Sequence, residues 1–110
     1  MELAPSTIEV FLRRGFRQLA ILVHRFGDEL VNTKPAGDHT NSAAVIVTHV
    51  CGALRFWTME IALGRDAQRD RDAEFRAVAT AAELQDLLAR TLDQVLVDVA
   101  EIAENGGITP

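Results

Sequence analysis

Apolar residues recur at helical spacing in three separate stretches of the chain. In the first stretch they fall every three or four positions and form one stripe: Leu12, Phe16, Leu19, Val23, Phe26 and Leu30. This spacing places the side chains on one face of an α-helix and predicts an amphipathic helix over residues 7–31. A capping box of Ser6 and Glu9 is expected to begin the helix. Pro35 and Gly37 belong to the polar loop that follows it.

The second stretch is apolar around most of its circumference. Its predicted helix covers residues 43–63 and begins at a capping residue, Asn41 or Ser42. One stripe runs along this helix: Ile46, Val50, Leu54, Trp57 and Ile61. Other apolar residues widen the surface, and the charged residues within it are Arg55 and Glu60. We expect a helix of this kind to be central and buried, with the Phe56-Trp57 pair in the core.

The third stretch predicts a helix over residues 81–104. Its stripe again follows spacings of three and four: Leu84, Leu88, Leu92, Val95, Val99 and Ile102. Thr80 and Glu83 form a second capping box, and acidic residues such as Asp98 are expected on the solvent face. Residues 65–79 alternate positive and negative side chains. Such alternation is more typical of a solvated crossing segment than of a binding patch.

The lengths of the connections predict the order of the helices. The short first loop makes helices one and two antiparallel neighbours. The second link, of about 16 residues, can extend ~50 Å, which exceeds the ~31 Å length of helix two. Helix three can therefore start parallel to helix two. The chain is predicted to be a single all-α domain over residues 1–110, with an up-down-down order.

Helix two has too few polar residues for a closed three-helix bundle. Each large apolar side chain left in water forgoes about 1.5–3 kcal/mol, and an apolar patch of that size marks a partner surface. We therefore expect a fourth helix or a second copy to cover helix two. On this interpretation the domain is C-terminally incomplete.

Charge and cysteine content narrow the classes of partner and compartment. The formal net charge is −5, from 11 basic and 16 acidic residues. This excess argues against nucleic acid and anionic membranes as partners, since phosphate binding depends on lysine and arginine. No run of about 18 uncharged apolar residues predicts a membrane span. The single cysteine, Cys51, fits a reducing cytoplasm and is expected to be a packed core thiol.

Motifs within residues 41–75 resemble the DinB/YfiT-like superfamily of metalloenzymes. They are Asn41-Ser42, Val47-Thr48-His49-Val50-Cys51-Gly52, Leu54-Arg55-Phe56-Trp57, Gly64-Arg65 and Arg69-Asp70-Arg71-Asp72-Ala73-Glu74-Phe75. The narrower resemblance is to the branch of mycothiol-dependent maleylpyruvate isomerases. It implies an up-down-down-up four-helix bundle that holds a divalent metal such as Zn or Ni. It also implies a transferase or isomerase reaction in which the metal activates a low-molecular-weight thiol.

His49 stands at the position of the metal ligand that this resemblance implies in helix two. The family's other two ligands come from a His-x-x-x-His pair on a fourth helix, and this sequence has no such pair. A catalytic metal site usually needs three protein ligands. His49 is therefore either one ligand of a site completed from outside this chain, or a buried structural imidazole bonded to a neighbouring polar group. We expect no further catalytic or cofactor-binding residue.

The sequence leaves two functions open. One is a metal-dependent, thiol-using transferase or isomerase that is inactive as this chain alone. The other is a non-catalytic interaction module that forms a homodimer through the apolar surface of helix two. Gly52, inside helix two, costs about 1 kcal/mol relative to alanine and indicates a close approach by another helix. His24 and His39 are expected to face solvent or to act as capping groups.

Overall fold

The computed structural model describes residues 4–106, and within this range the fold is entirely helical. Its helices are α1 (Pro5–Val31), α2 (Ala43–Arg55), α3 (Arg71–Glu74) and α4 (Ala81–Glu104). Helix α2 continues directly into a π-helical segment, Phe56–Ala62. The prediction of an all-α fold with three long helices is confirmed. The bounds predicted for the third helix agree with those of α4.

The helix starts show which of the predicted caps form. Thr80 accepts a hydrogen bond from the Glu83 amide at 3.1 Å, and the Glu83 carboxylate accepts one from the Thr80 amide at 2.9 Å. Ser42 caps α2 through its side chain. The capping box predicted at Ser6 is wrong, because α1 begins at Pro5 without a side-chain cap. Proline has its φ angle preset for the first helical position, so the helix starts one residue ahead of Ser6.

Helix α4 lies between α1 and α2. The Ala81 amide donates to the Asp28 carboxylate at 2.8 Å, so α4 starts where α1 ends and the two helices run antiparallel. The Thr58 hydroxyl donates to Asp98 at 3.0 Å near the far ends, so α2 and α4 run parallel. The up-down-down order is therefore present. Helices α1 and α2 are antiparallel as predicted, but each packs mainly against α4 rather than against the other.

A break at Gly27 changes which residues of α1 reach the core. Gly27 has φ 72° and ψ 177° inside the helix, a backbone conformation that a side chain would disfavour. Phe26, just before the break, and Leu30, after it, are exposed, whereas Val31 is buried. The prediction of one continuous apolar stripe along α1 is therefore wrong for its last two members.

The core forms where α1 and α2 pack against α4. Its buried members are Phe16, Val23, Val31, Ala44, Val47, Cys51, Leu84 and Leu88. On α2 and the π-helical segment that continues it, three members of the predicted stripe are exposed instead: Ile46 at 50%, Trp57 at 61% and Ile61 at 53%. We call these three residues the open stripe of α2. The expectation that the Phe56-Trp57 pair lies in the core is wrong for Trp57, whereas the exposed apolar surface expected on helix two is present.

The helical segment Ala43–Ala62 is long and apolar enough to cross a membrane by length and composition alone. Its mean hydropathy is 1.2, and 28% of the window is buried. A mostly buried core helix of a soluble protein meets the same criterion, and one side of α2 packs on α4. The absence of a membrane partner stays a prediction.

Two acidic side chains that were expected in water are buried. Asp98 is 0% exposed and accepts hydrogen bonds from Thr58 and from Gln94. Glu74, within the predicted solvated segment, is buried as well. Burying a carboxylate is costly unless donors replace the lost water, and both carboxylates have donors. The donors of Glu74 define the candidate site.

Candidate functional site

The charged segment between α2 and α4 folds back over α2 through the short helix α3. The Asp70 carboxylate accepts a hydrogen bond from the Ala73 amide at 3.0 Å and so caps this helix. An acidic side chain at a helix start satisfies an otherwise unpaired amide. The single turn of α3 carries Glu74 inward, against the middle of α2.

The Glu74 carboxylate contacts two side chains, one from the connecting segment and one from α2. Its Oε2 accepts from Arg69 Nε at 2.9 Å, and its Oε1 accepts from Arg69 Nη2 at 3.0 Å. His49 Nδ1 lies 3.1 Å from the same Oε1. Two parallel bonds from one guanidinium to one carboxylate form the strongest common geometry for such a pair. Burial alone would raise the pKa of Glu74, but the hydrogen bonds from Arg69 and His49 prevail and hold it below its usual range.

Gly52 makes the room for this carboxylate. A β-carbon built at Gly52 would lie 2.7 Å from the Cδ atom of Glu74 and would overlap Oε2. Any larger residue at position 52 therefore forces Glu74 to move. The close approach predicted at Gly52 is present, but a carboxylate from the connecting segment makes the approach rather than a packed helix.

The contact with Glu74 fixes the orientation of the His49 ring. An ionised carboxylate can only accept, so Nδ1 of a neutral His49 carries the proton and Nε2 carries the lone pair. The Phe75 ring lies against the imidazole, with 5.3 Å between ring centroids. The His49 side chain is 36% exposed, and Nε2 has no hydrogen-bond partner among the described residues. Ligating histidines commonly show this pattern, with one nitrogen held by a carboxylate and the other available.

A groove of about 210 Å³ adjoins the Arg69–Glu74 pair. Its lining includes Thr48, Gly52 and Arg55 on α2, and Leu87 on α4. Cys51 also lines it, although burial leaves little of the thiol accessible and raises its pKa. Cys51 is a packed core thiol, as predicted.

The predicted site residues come together only in part. His49 lies in the site, whereas His24 and His39 are exposed on α1 and on the first loop. Among residues 4–106, no three His, Cys, Asp or Glu side chains form a group that could hold a metal. The described residues supply one imidazole and do not by themselves fit a divalent metal.

The sequence did not indicate that Glu74 and Arg69 belong to the site. One indication in the sequence was that His49 and Gly52 are three residues apart, which places them next to each other on one face of the helix. A glycine beside a histidine in mid-helix shows that something approaches there. The sequence does not show which of the alternating charges approaches.

Comparison with known families supplies the remaining context. A family model described as "Protein of unknown function (DUF1572)" matches residues 11–106. The chain belongs to the DUF1572 family. This family is DinB-like, so the broader part of the resemblance is confirmed. Comparisons of this DUF1572 protein with curated proteins and with solved structures found no match.

Proposed function

We propose that this DUF1572 protein is a DinB-like bundle in which His49 is one ligand of a divalent metal. The observation that carries the proposal is the contact between His49 Nδ1 and the buried Glu74 carboxylate. It leaves Nε2 without a protein partner in the described part of the chain. In metal sites a carboxylate commonly holds the nitrogen of a ligating histidine that does not bind the metal, as Glu74 holds Nδ1 here.

The other ligands would come from outside residues 4–106. The open stripe of α2 supports this proposal, because three large apolar residues in water favour packing by a further helix. We expect the metal to be Zn or Ni, since imidazole is a suitable ligand for both. The complete site would activate a low-molecular-weight thiol, such as mycothiol, for a transferase or isomerase reaction in the cytoplasm. This chain alone would then be inactive.

Metal analysis of the natural protein tests the proposal. The protein is isolated from its source cells without an affinity tag, and its Zn, Ni and Mn contents are measured by mass spectrometry. We expect about one metal ion per site, its loss in His49→Ala, and its retention in His24→Ala. His24 is the matched control because it is an exposed helical histidine. Natural protein without stoichiometric metal would refute the proposal.

The second candidate function is a non-catalytic module that forms a homodimer. The open stripe of α2 favours it independently of any metal, since a second copy could cover Ile46, Trp57 and Ile61. Light scattering of the 110-residue chain tests this function. We expect a dimer that Ile61→Asp dissociates without loss of helicity. A stable, well-folded wild-type monomer would contradict this function.

A further inference from the structure

We infer that the groove beside Arg55 is a binding site for a small molecule with one carboxylate group. This site is separate from the one proposed at His49 and does not require a metal. The first observation is the charge of Arg55. Among residues 4–106 no carboxylate lies within ion-pair distance of its guanidinium, although the residue is only partly exposed.

The nearby carboxylates already have partners. Glu74 accepts hydrogen bonds from two nitrogens of Arg69 and also contacts His49. Asp70 accepts the Ala73 amide at the start of α3. Arg55 is thus the guanidinium in the groove wall that no carboxylate neutralises. A partly buried cation without a counter-charge favours binding of an anion from solution.

The guanidinium is also held in place. Its Nη2 donates to the Ala67 carbonyl at 3.0 Å, and Ala67 is among the most buried residues of the chain. Arginine has five N–H donors in a planar fork, so this bond anchors one nitrogen and leaves other donors for a ligand. A preoriented fork suits the two oxygens of a carboxylate, because it can donate two parallel hydrogen bonds.

The groove selects for size and charge. Its volume of about 210 Å³ lies below the roughly 300–1,000 Å³ of sites for drug-sized ligands. Ala67, Ala73 and Leu87 provide apolar wall, which suits a short hydrocarbon chain. The carboxylates of Glu74 and Asp70 would repel a dianion such as phosphate more strongly than a monoanion. A short-chain monocarboxylate satisfies both conditions.

A ¹⁵N-labelled NMR titration tests the site, with sodium propionate as the probe and sodium chloride at matched ionic strength as the control. We expect saturable shifts at the amides of Thr48, Gly52 and Ala67 with propionate only. Arg55→Gln should weaken binding by roughly tenfold, as expected for the loss of one charge-assisted pair. Arg14→Gln, at an exposed position of α1, should bind as the wild type does.

Several results would overturn the inference. They are shifts that do not saturate, equal shifts with chloride, tighter binding of phosphate than of propionate, and unchanged binding in a folded Arg55→Gln protein. If Arg55→Gln does not fold, the wild-type protein still decides the question. Saturating propionate should slow modification of Arg55 by phenylglyoxal, as measured by peptide mass spectrometry, and unslowed modification would refute the site. Neither outcome depends on whether His49 binds a metal.

Discussion

Replacing Gly52 by alanine is the sharpest test of the arrangement around Glu74. In an ordinary helix this substitution stabilises the protein, because alanine has a higher helix propensity by about 1 kcal/mol. Here the new β-carbon would lie 2.7 Å from the Cδ atom of Glu74. The carboxylate must therefore leave its position between Arg69 and His49.

The two opposing effects can be weighed. Removing one partner from a buried ion pair costs about 3–5 kcal/mol. A displaced Glu74 is not removed, and the Arg69 side chain is 18% exposed and can regain water, so a loss of about 2 kcal/mol is the appropriate scale. The alanine returns about 1 kcal/mol. We expect Gly52→Ala to lower the free energy of unfolding by about 1 kcal/mol, or to lower Tm by roughly 4–8 °C.

Urea denaturation followed by circular dichroism at 222 nm measures this change. Gly15→Ala is the matched control, because Gly15 lies inside α1 and its β-carbon would meet nothing within 4 Å. We expect Gly15→Ala to raise the stability by about 1 kcal/mol. In a Glu74→Ala background, Gly52→Ala should also become stabilising, since the clash is gone. If Gly52→Ala stabilises the wild-type protein as Gly15→Ala does, the reasoning about Glu74 is wrong.

Three further measurements check other parts of the structure. Burial opposes ionisation of Glu74, but the hydrogen bonds from Arg69 and His49 hold its folded-state pKa below the usual range. Its ionisation therefore stabilises the fold above the unfolded-state pKa, and this contribution is lost as pH falls through the folded-state pKa. Urea midpoints of Glu74→Gln should fall less on acidification than those of the wild type, and parallel curves would contradict the ion pair. Thr80→Ala should lower the free energy of unfolding by about 1 kcal/mol, because it removes a helix cap. Ser6→Ala removes no cap and should change the free energy of unfolding by less than about 0.5 kcal/mol. Equal losses in the two variants would show that the cap assignments are wrong. Burial raises the pKa of Cys51. Its thiol should therefore react only slowly with Ellman's reagent until urea unfolds the protein. Immediate reaction in buffer would show that the thiol is not buried.

Hydrophobic spacing predicted the helices well but not the sides that pack. Helix α2 and its π-helical continuation carry one apolar stripe with Val47 and Cys51, and another with Ile46 and Trp57. Periodicity assigns residues to faces, but only the position of α4 decides which face is buried. The break at Gly27 was unpredictable for a similar reason. A glycine inside a helical pattern is compatible with a continuous helix, and tertiary packing determines whether it takes a positive φ.

The site was harder to predict than the fold, because its partners come from a segment without periodicity. The sequence shows that His49 and Gly52 are unusual residues for the middle of an apolar helix. Glu74 is one of several acidic residues in an alternating run, and nothing in the run distinguishes it. Its inward position follows from the turn that Asp70 caps. Charge alternation is typical of a solvated surface, so the prediction failed where one charge of the run became buried.

The position of His49 connects the candidate site to the open stripe. Ile46 precedes His49 by three residues, so the two lie on neighbouring positions of α2. A helix that covers Ile46 would therefore pass close to the imidazole. If that helix brings metal ligands, His49→Ala removes the metal and Ile61→Asp weakens both the metal site and the assembly. If the covering helix brings no metal ligands, His49→Ala leaves the dimer intact. Neither the wild-type protein nor the variants then hold a metal. Measuring assembly and metal content in the same two variants thus separates the enzyme from the interaction module.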